Sequence, residues 1–237
     1  DLEDVQVNFD GITYAKGGSL LKQLAAYVGI DEFFAGVGAY FRKHAYQNTT
    51  LSDLLVELEA TSGRDLKAWS AKWLETAGVN TLSPVIDTDV DGKITRFAVL
   101  QTAPADYPTI RPHRMGIGFY ELQGGSLVRT REVEVDIDGD LTEIPELVGA
   151  ERPALVLLND GDLAYAKIRL DPQSLETAIS HISAIEDPLA RSLVWGAAWD
   201  MTRDGEMAAR DYIQLVLAGL GTETESTTIR TTLAQVR

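Results

Sequence analysis

The sequence contains no cysteine among its 237 residues. Disulfides, thiolate zinc sites, iron–sulfur clusters and cysteine nucleophiles are therefore excluded for this chain. Because no disulfide framework has to form, a reducing compartment is the simpler assumption. The sequence accordingly predicts a cytoplasmic location.

Basic residues are also scarce. The chain has 21 Lys and Arg against 36 Asp and Glu, which gives a formal net charge of −15. Such a surface repels phosphate backbones and anionic lipids, so we expect neither nucleic acid nor a membrane as a partner. No stretch of the sequence approaches the ~20 apolar residues of a membrane span. The acidic residues are spread evenly, which indicates solvated surface rather than one cation-binding patch.

The common catalytic and metal-binding motifs are missing from the sequence. It has no His-Glu-x-x-His and no Gly-x-Ser-x-Gly. His44, His113 and His181 do not pair at the i, i+4 spacing of a helical metal site, so we interpret each as a surface or helix-end residue. The segment Asp87-x-Asp89-x-Asp91-Gly92 begins like a calcium loop, but Ala98 stands at the twelfth place, where such a loop needs Glu. We therefore predict a hairpin turn there.

The hydropathy pattern divides the chain into helical, β and helical blocks. In the first block, Leu20, Leu24 and Val28 recur at helical spacing before Gly29 ends the run. Thr50 and Asp53 fit the capping box of a further helix. Four tryptophans recur at helical spacing, and we predict that they lie in the core rather than in a functional site: Trp69, Trp73, Trp195 and Trp199.

Residues 84 to 170 alternate with period two and carry turn residues between the runs. Asp91-Gly92 and Gly124-Gly125 are hairpin signals, and Leu163 to Leu170 is predicted as one of about six short strands. Strands of this number and length favour a small β-sandwich. Helical spacing returns after Asp171, where Pro172 suits the first position of a helix, and Asp187-Pro188 predicts the next start.

One segment resembles a known family. Phe9 to Leu24, with Tyr14-Ala15-Lys16-Gly17 at its centre, resembles the Tyr-x-Lys-Gly segment of the M1 family of zinc aminopeptidases, of the aminopeptidase N type. Later stretches are also similar to that family, the last two to its actinobacterial-type members: 29–34, 40–44, 49–54, 69–79, 159–167 and 195–201.

The resemblance implies a fold. Members of the family carry an N-terminal β domain, a thermolysin-like catalytic domain, a small β-sandwich and a C-terminal helical superhelix. We therefore expect an α+β multidomain fragment. Residues 1–80 would be the helical C-terminal part of the catalytic domain, 81–170 the β-sandwich, and 171–237 the first part of the helical domain.

The resemblance also implies what accompanies this chain. The family's His-Glu-x-x-His zinc motif and its Gly-x-Met-Glu-Asn substrate motif precede the Tyr-x-Lys-Gly segment, and both are missing here. Together with Asp1 as first residue, this favours a piece whose upstream catalytic half belongs to the same polypeptide. We expect Zn²⁺ in the full-length parent, none bound to this chain, and no activity of the chain alone.

The function implied by the resemblance is hydrolysis of N-terminal residues from peptides. In the family, zinc polarises the scissile carbonyl and activates a water, and a neutral donor stabilises the oxyanion that develops. A phenol suits this role because its usual pKa of ~10 keeps it protonated at neutral pH. The matching residue is Tyr14, the candidate catalytic residue.

Other interpretations remain open from the residues alone. Tyr14 could be a tyrosine that packs near a helix start. Lys16 and Gly17 are interpreted as structural, with Gly17 permitting close packing or an unusual backbone angle. The alternative function is a non-catalytic protein-interaction module derived from the same fold.

Overall fold

The structure is a computed structural model that describes Glu3, Phe9 and residues 12–237. A π-helical turn, Ile12–Lys16, precedes the first α-helix. The helices are α1 (Gly17–Val28), α2 (Ile30–Lys43), α3 (Leu51–Ser62), α4 (Leu66–Leu74), α5 (Pro172–His181), α6 (Pro188–Arg203), α7 (Ala209–Gly219) and α8 (Ser226–Gln235). The strands are β1 (Thr81–Thr88), β2 (Ile94–Thr102), β3 (His113–Gln123), β4 (Ser126–Ile137), β5 (Leu141–Glu143), β6 (Leu155–Asp160) and β7 (Lys167–Ile168).

Local signals in the sequence set the ends of the first helices. Helix α1 stops at Gly29, whose φ of 96° is unfavourable for other residues. Helix α3 begins with the predicted capping box of Thr50 and Asp53 and ends at Gly63 in a left-handed conformation. Helices α1, α3 and α4 bury one apolar cluster, which consists of Leu20, Leu24, Val28, Leu58, Leu66, Trp69 and Trp73.

The strands form two sheets, in the orders β5-β2-β1-β7 and β4-β3-β6. All pairings are antiparallel except that of β1 with β7. Phe97 and Val99 of one sheet and Ile117 and Leu157 of the other belong to one buried cluster, so the predicted sandwich is confirmed. The predicted strand Leu163 to Leu170 is reduced to Lys167–Ile168.

The acidic turn between β1 and β2 is a hairpin turn, as predicted. The Asp89 carboxylate accepts hydrogen bonds from the backbone N–H groups of Asp91 at 3.0 Å and Lys93 at 2.8 Å. Gly92 takes a φ of 81°. Asp89 thus stabilises the turn through its own neighbours.

The first two C-terminal helices begin where the sequence predicts, and aspartates cap both of them. The Asp171 side chain accepts from Gln173 and Ser174 before Pro172 opens α5, and the Asp187 side chain accepts from Leu189 at the start of α6. Trp195 and Tyr212 of these helices are buried in the same apolar cluster as the sandwich. None of the helices that the structure describes is long and apolar enough to cross a membrane.

Polar contacts fasten the three blocks to one another. The Lys22 ammonium on α1 donates to the carbonyl oxygens of Gly161 at 3.0 Å and Asp162 at 2.9 Å. Arg64 pairs with Asp136 at 2.9 Å. Lys167 pairs with Asp204 at 2.7 Å, beyond the end of α6. The last helix of the first block ends at residue 74 and the first strand begins at 81; the last strand ends at 168 and the next helix begins at 172. The domain boundaries at 80 and 170 stay predictions.

Candidate active site

Tyr14 lies in the π-helical turn that leads into α1. Its side chain is 62% exposed, so its hydroxyl is not committed to the core. The ring meets that of Phe9 edge to face, with centroids 5.0 Å apart and an interplanar angle of 81°. This contact is a favourable aromatic geometry and positions the ring without burying it.

Tyr14 lines an open apolar cavity of about 480 Å³. Helices α1, α3 and α4 supply the walls, among them Leu21, Leu51, Trp69 and Leu74. Leu21 is 54% exposed and Leu74 is 49% exposed. A contiguous exposed apolar surface of this kind marks an interaction site or a ligand groove. Tyr14 thus lines a surface suited to be covered by a partner.

The second residue of the motif, Lys16, is half-buried and lines a neighbouring cavity. Burial lowers the pKa of its ammonium, and the nearby Arg111 guanidinium lowers this pKa further.

The structural explanation predicted for Gly17 is wrong within the described residues. Its φ is not positive, and a Cβ placed there meets no heavy atom within 4 Å. Neither an unusual backbone angle nor close packing against these residues requires a glycine. Because Gly17 lines the cavity of Tyr14, a side chain there would point into the open space beside the tyrosine.

Arg111 fixes the loop that follows α4. Only 1% of this residue is exposed. Its guanidinium donates to the carbonyl oxygens of Lys72 at 3.0 Å and Ala77 at 2.7 Å, and to side-chain oxygens of Thr76 at 2.7 Å and Asn80 at 3.1 Å. A cation is favoured at a helix C-terminus, so Arg111 caps α4 from the sandwich.

The interpretation of His113 as a surface or helix-end residue is wrong, whereas His44 and His181 do lie at helix ends. His113 is the first residue of β3 and is fully buried, with its ring 5.0 Å from that of Trp73. Its Nε2 donates to Gln101 Oε1 at 3.2 Å, because that oxygen can only accept. Burial, and then Arg111, lower the pKa of His113 to about 3.

The residues present do not fit a catalytic zinc. Within residues 12–237, together with Glu3 and Phe9, no group of three or more His, Cys, Asp or Glu could hold a metal ion. His44 follows the last residue of α2, His113 lies on β3 and His181 ends α5, so the three histidines lie in separate parts of the fold. A zinc site would need ligands from outside the described residues.

Two family models match the chain. Residues 1–73 match the Peptidase family M1 domain, and residues 155–237 match the ERAP1-like C-terminal domain. The chain is 58% identical to aminopeptidase N of Streptomyces lividans, over 100% of this chain and 28% of that protein. It is 33% identical to the mitochondrial aminopeptidase 2 of Saccharomyces cerevisiae, over 78% of this chain and 20% of that protein.

The fold is also found in a solved structure. Legionella pneumophila aminopeptidase A in complex with aspartic acid matches with a TM-score of 0.65 at 15% identity, over 98% of this chain and 27% of that one. Helices, a two-sheet sandwich and further helices, in this order, thus form part of an aminopeptidase fold. The chain belongs to the M1 peptidase family, and it spans about a quarter of the length of the relatives it matches.

Proposed function

We propose that this chain is part of a zinc aminopeptidase that removes N-terminal residues from peptides, and that Tyr14 stabilises the transition state. The observation that carries the proposal is the position of Tyr14. The tyrosine of the Tyr-x-Lys-Gly segment is exposed at the edge of an apolar cavity, within the stretch that matches the M1 domain. The exposed side chain leaves Tyr14 accessible to a substrate.

The role of Tyr14 in the proposal is electrostatic. Attack of water on a peptide carbonyl places negative charge on the carbonyl oxygen, and a fixed hydroxyl donor stabilises that charge. The Tyr14 phenol is such a donor, and the edge-to-face contact with Phe9 limits the positions of its ring. Zinc and its ligands would come from the missing upstream catalytic half of the same polypeptide, which would also cover the apolar cavity.

The chain's own partners in this proposal are the peptide substrate and that upstream half. Its excess of negative charge does not favour nucleic acid or anionic membranes as further partners. Cytoplasmic location remains a prediction that rests on the absence of cysteine.

The test is Tyr14→Phe in the full-length enzyme. We expect kcat for an aminoacyl-anilide to fall by about 10²–10³, because one oxyanion donor is lost. Bound zinc and the circular-dichroism spectrum should stay as in the parent, since an exposed hydroxyl supports neither. Tyr46→Phe, at another exposed tyrosine, is the matched control. An unchanged kcat for Tyr14→Phe would remove Tyr14 from the mechanism.

A further inference from the structure

Lys16, two residues after Tyr14, and the nearby Arg111 are two cations that no carboxylate among the described residues neutralises. Buried charges in proteins are normally paired. Arg111 is almost fully buried, yet its hydrogen-bond acceptors among the described residues are carbonyl, hydroxyl and amide oxygens, and its other contact is with the Trp73 ring. Burial accordingly lowers the pKa of its guanidinium, with no acidic group to oppose the effect.

Lys16 is the second of these cations. Its ammonium forms no hydrogen bond or ion pair with the described residues, and both influences on its pKa lower it. The exposed residue Glu75 lines the same cavity, but it does not raise the pKa of Lys16. Among the described residues, the site therefore carries an excess of positive charge.

The end of helix α4 does not account for Lys16. A helix C-terminus attracts cations because its last carbonyl groups lack partners. Here Arg111 already donates to the carbonyl oxygens of Lys72 and Ala77, and the N–H of Glu75 donates to Ala71. The lysine ammonium bonds to none of the described carbonyl groups at this helix end, so it is left for a group from outside the described residues.

The cavity beside Lys16 leads from Tyr14 towards the C-terminal helices. It has a volume of about 450 Å³ and shares Leu74 with the cavity of Tyr14. At its other side it shares Val79 and Tyr165 with a cavity lined by α6. An extended peptide advances ~3.3–3.6 Å per residue, so a short peptide can reach from one cavity to the next.

We propose that Lys16 binds the C-terminal carboxylate of short peptide substrates whose scissile bond lies at Tyr14. This assignment rests on the proposed function. The ammonium supplies the positive charge, and Arg111 raises the positive potential of the site while holding the loop after α4 in place. Lys16 is thus a specificity-determining residue that favours short peptides with a free C-terminus.

The experiment compares a tripeptide as free acid with the same tripeptide as C-terminal amide, in the full-length enzyme. For Lys16→Met we expect the ratio of kcat/KM between acid and amide to fall about 10- to 100-fold, because a hydrogen bond to a charged group is lost. Lys16→Arg should restore part of the ratio. Lys67→Met, which removes an exposed lysine of α4, is the matched control and should leave the ratio as it is.

A second pair of substrates separates two sources of carboxylate. The tripeptide amide is prepared with Asp or Asn at its third position. We expect Lys16→Met to leave the ratio of kcat/KM between the Asp and the Asn peptide unchanged. A fall in this ratio without a fall in the acid-to-amide ratio would show that Lys16 binds acidic side chains, and would overturn the proposal. An unchanged acid-to-amide ratio in Lys16→Met would overturn it as well.

Failure of the proposed function would be visible separately. If the full-length enzyme cleaves none of these peptides, the proposal that it is an aminopeptidase fails. The role of Lys16 is then tested by peptide binding instead of by kinetics. The tripeptide acid and amide are then titrated into ¹⁵N-labelled protein. Shifts at Lys16 and Gly17 with the acid but not with the amide support the carboxylate site, and equal or absent shifts overturn it.

Discussion

In the proposed function, the phenol of Tyr14 is the group of this chain that stabilises the transition state. Its exposed ring, its contact with Phe9 and its place at the edge of an apolar cavity are properties of one residue in one turn. Tyr14 lies in a π-helical turn and not in the regular α-helix α1 that follows. Turns of this type occur frequently at functional sites, in agreement with the proposed role.

Also at the scale of single residues, His113 makes stability depend on pH. Its pKa is about 3 in the folded protein, against ~6.5 in the unfolded chain. Between these values the unfolded chain binds more protons, so stability is lost as pH falls from 6.5 towards 3. This residue should contribute a slope of up to about 1.4 kcal/mol per pH unit.

The prediction is that His113→Gln flattens this slope, whatever its effect on absolute stability. The measurement is the free energy of unfolding by urea at several values between pH 4 and pH 7. His181→Gln, at the exposed end of α5, is the control for removal of a histidine. A His113→Gln slope equal to that of the parent chain would show that His113 does not cause the loss.

At the scale of elements, strand β3 depends on one small residue, Gly118. A Cβ on Gly118 would lie 2.0 Å from Asp160 Oδ2 and 2.9 Å from the ring of Tyr120. The Asp160 carboxylate cannot move freely, because it is buried and accepts from the Tyr120 hydroxyl at 2.9 Å and from Arg129 at 3.2 Å. The pairing of β3 with β6 therefore requires glycine at position 118.

We expect Gly118→Ala to destabilise the protein by about 1–3 kcal/mol, the usual cost of overpacking. Gly196→Ala is the matched change, because a Cβ on this exposed glycine of α6 meets nothing within 4 Å. It should stabilise the helix by about 0.5–1 kcal/mol. Thermal and urea unfolding of both variants check this, and equal effects of the two would contradict the account.

The elements were predictable where their signals are local. Thr50, Gly63, Asp171 and Asp187 act on backbone groups within a few residues, so the sequence alone indicates the helix ends. The stretch Leu163 to Leu170 was only partly predictable. Its pairing depends on β1, which is more than 80 positions away, and just Lys167–Ile168 meets that strand.

The candidate site was predictable in part for the same reason. Tyr14 could be found because four consecutive residues resemble a family motif. The burial of His113, the contacts of Arg111 and the charge of Lys16, which no described residue pairs, arise where α4, β3 and the turn before α1 meet. No spacing in the sequence signals a contact among segments so far apart.

At the scale of the whole molecule, the sandwich connects the two helical blocks. It contacts α1 through Lys22, the end of α4 through Arg111, and the loop after α6 through Lys167. The turn of Tyr14 is thereby held in a fixed relation to α6, and the adjoining cavities run between them. In the proposed enzyme, these cavities extend the site beyond the residues that carry out hydrolysis.

In the proposed function, Tyr14 contacts the transition state rather than the substrate. A phosphinic peptide is a stable tetrahedral analogue of that state, and an enzyme binds such analogues more tightly than substrates. The decisive measurement is the Kd of this peptide for the full-length enzyme and for its Tyr14→Phe variant. The account predicts that Kd rises about 10²–10³-fold, matching the loss in kcat/KM, while the affinity for the product amino acid stays constant. Equal Kd values for the two proteins would contradict it.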